Sequence, residues 1–279
     1  GSGVATVTFT TNSNDGVVHT VTGTDGGELT GTSPTITTQT GGPSQYLVSS
    51  DNATPTAGDD VIITAQLADA NGNPVATAGN VVTWSSTGAG GAFSSPTSTT
   101  DGSGVATVTF TTSTTAGTVH TVTATDGGGL TGTSGAVTTQ AGPPTQFLVT
   151  SDDYSPVAGA SVAIAAQVAD SLGNPVDSAG VSVTWASTNG GSFSPGTSST
   201  NASGIAATTF TTSPTAGTAH QVFAFAISGS GSSPNITTVP GGASTATSTI
   251  TAAPTSITAD GGTTSPTTVH RTDANNNYP

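Results

Sequence analysis

The side chains here that could do chemistry are few, and they recur. Four histidines, two tryptophans and 15 acidic residues stand among 279 residues. His19, His120 and His220 each sit in a Val/Ala-His-Thr/Gln-Val context. A catalytic histidine needs a nucleophile, an orienting partner and oxyanion donors around it. No Ser-His-Asp order repeats about these three, and no second histidine stands at metal-ligand spacing. The pattern therefore predicts histidines packed at a core edge, with no catalytic and no cofactor-binding residues. Trp84 and Trp185 could stack a sugar ring, but their strand context predicts core positions. Tyr46 and Phe147 occupy equivalent places and are expected to pack at joins between repeats. The aspartates say more. Asp69, Asp170 and Asp273 each precede a turn holding asparagine, Asp101 and Asn201 share a second kind of turn, and Asp25 and Asp126 a third. Asp and Asn accept backbone hydrogen bonds in such turns and tolerate left-handed backbone there.

Composition removes whole classes of function. Lysine is absent, Arg271 is the one Lys or Arg, and the formal net charge is −14. Phosphate recognition needs clustered cations, so no nucleic-acid partner is expected. The same lack argues against an anionic membrane surface. With no cysteine, disulfides, thiolate metal sites and cysteine catalysis are excluded. Lys–Asn isopeptide cross-links cannot form, and a trypsin-like protease finds one site. Asn52-Ala53-Thr54, Asn201-Ala202-Ser203 and Asn235-Ile236-Thr237 match the glycosylation acceptor pattern. They fall at non-equivalent places in different repeats, as chance would scatter them.

The elements that position these residues repeat as well. Gly3-Val4-Ala5-Thr6-Val7-Thr8-Phe9 returns as Gly104-Val105-Ala106-Thr107-Val108-Thr109-Phe110, and again, altered, as Gly204-Ile205-Ala206-Ala207-Thr208-Thr209-Phe210. Trp84 and Trp185, and Gly72-Asn73-Pro74-Val75 and Gly173-Asn174-Pro175-Val176, keep the same register. A period of roughly one hundred residues is the size of a domain rather than of a solenoid turn. Gly41-Gly42-Pro43, Gly142-Pro143-Pro144 and Gly241-Gly242 mark the joins, which as short Gly/Pro stretches are expected to be slightly flexible. The predicted organisation is a partial unit at 1–41 with the last three strands of a domain, full units at 42–141 and 142–241, and a partial unit at 242–279 with first strands. Inside a unit the period is two: Val61, Ile63, Ala65 and Leu67 share one face, as do Val82 and Trp84, then Ala106, Val108 and Phe110, then His120, Val122 and Ala124. Such alternation bounded by Gly, Asn, Asp and Pro predicts half-buried antiparallel strands, about seven per unit. The fold class expected is all-β: tandem immunoglobulin-like β-sandwich domains in an extended array.

The runs Ala68-Asp69-Ala70-Asn71-Gly72-Asn73-Pro74-Val75, Val82-Thr83-Trp84-Ser85, Thr100-Asp101-Gly102-Ser103-Gly104-Val105-Ala106-Thr107 and Thr115-Ala116-Gly117-Thr118 together resemble a bacterial immunoglobulin-like domain of the invasin and intimin surface-protein group. The piece from Ser248 to Gly261 resembles the opening of another. The resemblance implies tandem sandwiches forming stalks on cell surfaces. No receptor-binding tip domain is visible, so host-cell binding does not carry over. In this topology three turns share one pole with the incoming chain, so Asp69, Asp101 and Asp126 are candidate Ca²⁺ ligands at the joins between domains. No other cofactor is expected.

The expected function is therefore structural: a stalk, spacer or filament building block of an extracellular, cell-surface protein, and not an enzyme. Its expected partners are neighbouring immunoglobulin-like domains of the same or an identical chain, including a homopolymeric filament, with no membrane insertion in this segment. The alternatives are an adhesive or carbohydrate-binding accessory module of a secreted protein, for which exposed aromatics would be the mark, and a virion decoration.

Overall fold

The computed structural model describes residues 3–279, and among them every regular element is a strand. By its contacts the chain divides into two compact units, 1–140 and 141–279.

In the first unit, β1 (Val18–His19) pairs with β4 (Ile36–Thr37) and β2 (Thr22–Thr24) with β3 (Thr30–Thr32). Then follow β5 (Gln45–Ser50), β6 (Asp60–Ala68), β7 (Val81–Ser86), β8 (Ala92–Phe93), β9 (Thr97–Thr99), β10 (Val105–Thr111), β11 (Val119–His120), β12 (Val122–Asp126), β13 (Thr131–Thr133) and β14 (Val137–Thr138). One four-stranded sheet runs β5-β6-β10-β8 and a second β13-β12-β7-β9, with β11-β14 as a short pair. The short edge pieces raise the strand number above the seven expected. Alternation does what it predicted. Val61, Ile63, Ala65, Leu67, Ala106, Val108 and Phe110 from one sheet meet Val82, Trp84, Val122 and Ala124 from the other in one core. Each alternate side chain turns to solvent, as a sheet with one covered face requires.

The second unit repeats this body with β15 (Gln146–Ser151), β16 (Ser161–Ala169), β17 (Ser182–Ser187), β18 (Ser192–Ser194), β19 (Thr197–Ser199), β20 (Ile205–Thr211), β21 (Ala219–His220), β22 (Val222–Ala226), β23 (Gly229–Ser232) and β24 (Ile236–Thr237). Here Gln146 of β15 pairs in parallel with Ser230 of β23, so the two layers join into one sheet of eight strands. The core is equivalent, from Phe147 and Ile164 to Trp185 and Phe210. Beyond it β25 (Thr249–Ala252) and β26 (Thr267–His270) form an antiparallel pair.

One expectation fails. The run Val4 to Phe9 is not a strand, although its counterparts β10 and β20 are. β10 is held between β6 and β8. No strand lies beside Val4–Phe9 among the described residues, and a ladder needs a partner. Only the tip of the pattern survives: Phe9 lies edge-on to His19 at 5.2 Å, as Phe110 does to His120 at 5.1 Å. Residues 1 and 2 of the expected 1–41 segment lie outside the described residues.

A repeated glycine sets the spacing of the two layers. A Cβ on Gly132 would stand 1.8 Å from the Tyr46 carbonyl oxygen, and one on Gly231 1.9 Å from that of Phe147. Gly135, by contrast, faces open space. Forcing atoms into a filled contact typically costs about 1–3 kcal/mol. Gly132→Ala is therefore expected to lower unfolding free energy in urea by about 3 kcal/mol, while Gly135→Ala stays within about 0.5 kcal/mol of wild type. Equal stabilities of the two variants would show that the layers do not meet at Gly132.

Candidate functional site

With almost no cations in the chain, carboxylates must be satisfied by N–H donors. Asp69 shows how. Its Oδ1 accepts the backbone N–H groups of Asn71 and Asn73, both at 2.9 Å. Its Oδ2 accepts the Asn73 side-chain amide at 2.9 Å and the N–H of Gly41, in the join, also at 2.9 Å. A Cβ on Gly41 would stand 3.3 Å from both Cβ and Oδ2 of Asp69, so glycine allows the close approach. Gln45 Nε2 donates to the Asp69 carbonyl at 2.8 Å, fastening the start of β5 to the same turn.

The arrangement recurs at each join. Asp170 accepts N–H bonds from Leu172, Asn174, the Asn174 side chain and join residue Gly142. Asp273 accepts them from Asn275, Asn277, the Asn277 side chain and join residue Gly241. At each join one glycine N–H is held by the carboxylate of the following segment. The asparagine reaches further, into the preceding segment. Asn73 Nδ2 donates to the Ser13 carbonyl at 2.9 Å, and its Oδ1 accepts the Asp15 N–H at 3.1 Å. Asn277 does the same with the Pro214 carbonyl at 2.9 Å and the Ala216 N–H at 2.8 Å. Each turn thus grips its own module, the incoming chain and, at these two joins, a loop of the segment before.

These bonds favour the charged carboxylate. The Asn73 amide, then the Gly41 N–H, hold Asp69 down at about 2 against an ordinary 3.8. Burial pushes Asp170 and Asp273 up, but their amide donors outweigh it and leave both at about 2.

The other acidic turns use their oxygens differently. Asp101 Oδ1 accepts the N–H groups of Ser103 and Val105. One oxygen suffices there, and Asn201 makes the same two bonds to Ser203 and Ile205. Asp126 Oδ1 accepts from Gly128 and Leu130, and its Oδ2 from the Tyr46 hydroxyl at 3.2 Å. Burial, then the Asp126 charge, pushes that hydroxyl up to about 12. In the second module Ala226 replaces Asp126, and the two-residue turn Ile227-Ser228 closes Ala226 onto Gly229. Phe147 there replaces Tyr46. A buried hydroxyl wants a partner, so hydroxyl and carboxylate come and go together. Both rings lie in the core rather than at the joins.

The turns of Asp69, Asp101 and Asp126 do share one pole. Gln66 Nε2 donates to Ser103 O in the Asp101 turn, Gln45 reaches the Asp69 turn, and Tyr46 the Asp126 turn. Each carboxylate faces its own N–H donors, however, and no three acidic or histidine side chains form a metal-ligating group among the described residues. His120 and His220 are 0% exposed. His120 Nδ1 bonds to the Thr87 carbonyl at 3.0 Å and Nε2 accepts the Ser113 N–H at 3.2 Å. His220 repeats this with Thr188 and Ser213. A carbonyl can only accept, so Nδ1 carries the proton and both ring nitrogens are used. Trp84 and Trp185 are 5% exposed, and each indole N–H donates to a serine hydroxyl at 3.0 Å, Ser98 or Ser198. They are core residues, as predicted. Sequence reasoning found the Asp-Asn turns but missed the second oxygen's bond back to the join. Its signal was a glycine 28 positions upstream of Asp69 and of Asp170.

Residues 43–140 match the family model of the bacterial Ig-like domain (group 1). That module is a bacterial immunoglobulin-like domain, in keeping with the resemblance carried by its motifs. No curated protein matches the chain. Similar solved structures include the D0-D1 domain of intimin, 23% identical over 69% of this chain and 97% of that one, with a TM-score of 0.31. FdeC, an Escherichia coli adhesin, is 21% identical over 70% of this chain and 64% of that one, with a TM-score of 0.38. Invasin, a bacterial integrin-binding protein, is 22% identical over 84% of this chain and 47% of that one, with a TM-score of 0.35.

The lowered carboxylates fix the sign of an acid effect. Their contribution to stability is complete above about pH 4 and is lost as pH falls through about 2. The melting temperature of the wild type is expected to drop across that window. The triple variant Asp69→Ala, Asp170→Ala, Asp273→Ala should melt lower at pH 7 and drop less steeply. Some slope should remain, because the Thr263 hydroxyl also holds Asp260 at about 2. Parallel curves for the two proteins would remove the carboxylates from the joints. A calcium titration followed by chelation forms a separate arm. Unchanged melting leaves Asp69, Asp101 and Asp126 to their N–H donors, whereas a calcium-dependent rise lost in Asp101→Asn places a cation at that pole.

Proposed function

We propose that this chain is a load-bearing stalk or spacer segment of an extracellular bacterial surface protein, built of modules at 1–41, 42–141, 142–241 and 242–279. The observation that carries this reading is the same carboxylate grip at all three joins, through Gly41, Gly142 and Gly241. A chain serving only as a tether gains nothing from four N–H bonds on one carboxylate at each join. A strut does, because tension applied along the chain meets the grip before it reaches the core.

On this reading the chain is not an enzyme and takes no cofactor. Its polar atoms are spent on internal bonds: histidines on backbone, tryptophans on serines, aspartates on turns. The immunoglobulin-like family match over 43–140 supports a surface-protein module. No helix among the described residues is long and apolar enough to cross a membrane. The flanking segments leave Val4, Val7, Ile250 and Val269 exposed. A neighbouring module of a longer chain, or of an identical chain in a filament, is the partner that would cover them.

Pulling single molecules end to end tests the reading. The two full modules should each unfold in one event and release about 300 Å of chain, from about 3.4 Å per residue less the folded length. Smaller steps from the flanking segments should precede them. Gradual extension without discrete events would rule out independent load-bearing modules.

A further inference from the structure

The second full module carries a surface that the first lacks. On the outward face of its β22, Phe223 and Phe225 are stacked, with ring centroids 5.9 Å apart and planes 14° apart. Phe225 is 45% exposed, and Ile227, just past the strand, is fully exposed. The registers set Ser230 and Thr184 on either side of Phe225, and Ser232 and Ala186 on either side of Phe223. In the first module the matching rows are threonine: Thr125 lies between Thr131 and Thr83, and Thr123 between Thr133 and Ser85. Their hydroxyls approach each other at 3.3 and 3.4 Å. The 1–41 segment has the same pattern in Thr22 and Thr32. Threonine therefore satisfies the fold at these positions, and a half-buried Phe223 beside an exposed Phe225 is not explained by packing.

We propose that Phe223 and Phe225 form a stacking platform for a neutral glycan chain. The two rings are parallel and stacked, with Phe225 exposed, and the C–H face of a sugar can lie against such an apolar ring surface. The flanking Ser230, Ser232 and Thr184 hydroxyls can bond to sugar hydroxyls. None of the residues in these rows is charged, which suits an uncharged ligand. A second copy of the chain fits less well. The three apolar side chains expose on the order of 300 Å², against about 800 Å² per partner in a stable interface.

The test is affinity electrophoresis of the whole chain through gels holding soluble neutral polysaccharides (hydroxyethylcellulose, xylan or galactomannan) or the acidic alginate. Phe223→Thr with Phe225→Thr restores the first module's own residues, so the variant is expected to fold, and its melting curve checks this. The wild type should be retarded by at least one neutral polysaccharide and not by alginate, and the variant should bind at least tenfold more weakly. Three results would overturn the proposal: no retardation in any neutral gel, retardation equal in the variant, or retardation by alginate alone. A concentration-dependent dimer in analytical ultracentrifugation that the variant abolishes would assign the rings to a second copy instead, and also overturn it.

Discussion

A buried carboxylate without a cation has to be solvated by the protein itself, and the joins of this chain depend on that constraint. In other proteins an arginine or lysine neutralises such a group. Here lysine is absent and the one arginine is Arg271, so amides do the work. Asp69, Asp170 and Asp273 each collect four N–H bonds, one of them from the glycine where the chain comes in. Charge-assisted bonds of this kind are shorter and stronger than neutral ones. They are also less exposed to screening by salt than ion pairs on a surface. The joint is thus built from backbone, and at Gly41 the approach is close enough that a Cβ would stand 3.3 Å from Asp69.

The repeats expose the logic of individual positions by what they exchange. Asn201 stands in for Asp101 because that turn uses one oxygen. Asp69, Asp170 and Asp273 use both, and asparagine would bring a donor where an acceptor is needed. Tyr46 keeps its hydroxyl where Asp126 receives it, and becomes Phe147 where the carboxylate is gone. Gly132 and Gly231 stay glycine because a carbonyl oxygen occupies the place of their Cβ. In each case the neighbour's chemistry, rather than the local run of sequence, decides the residue.

Much of the fold was legible for the same reason. Period-two patterning names the buried face directly, and Val61 to Leu67, Trp84 and Ala106 to Phe110 all point inward as the alternation requires. What patterning could not show is whether a strand has a partner, so Val4–Phe9 reads like β10 yet forms no ladder. Nor does it say where a side chain's second oxygen goes. The Asp-Asn turns were visible, but the bond from Gly41 to Asp69 joins residues 28 apart. The outward pair Phe223 and Phe225 was hidden in the same way, because alternation around Val222 and Ala224 marks the inner face and leaves the outer one unread.

Amide hydrogen exchange at the joins tests the central claim most directly. Gly41 and Gly241 donate to carboxylates, while the neighbouring Gly42 and Gly242 give no such bond. The account predicts that the Gly41 and Gly241 amides exchange far more slowly than those of Gly42 and Gly242, and that Asp69→Ala and Asp273→Ala remove the difference. Equal exchange at the paired glycines of the unmodified chain would contradict it.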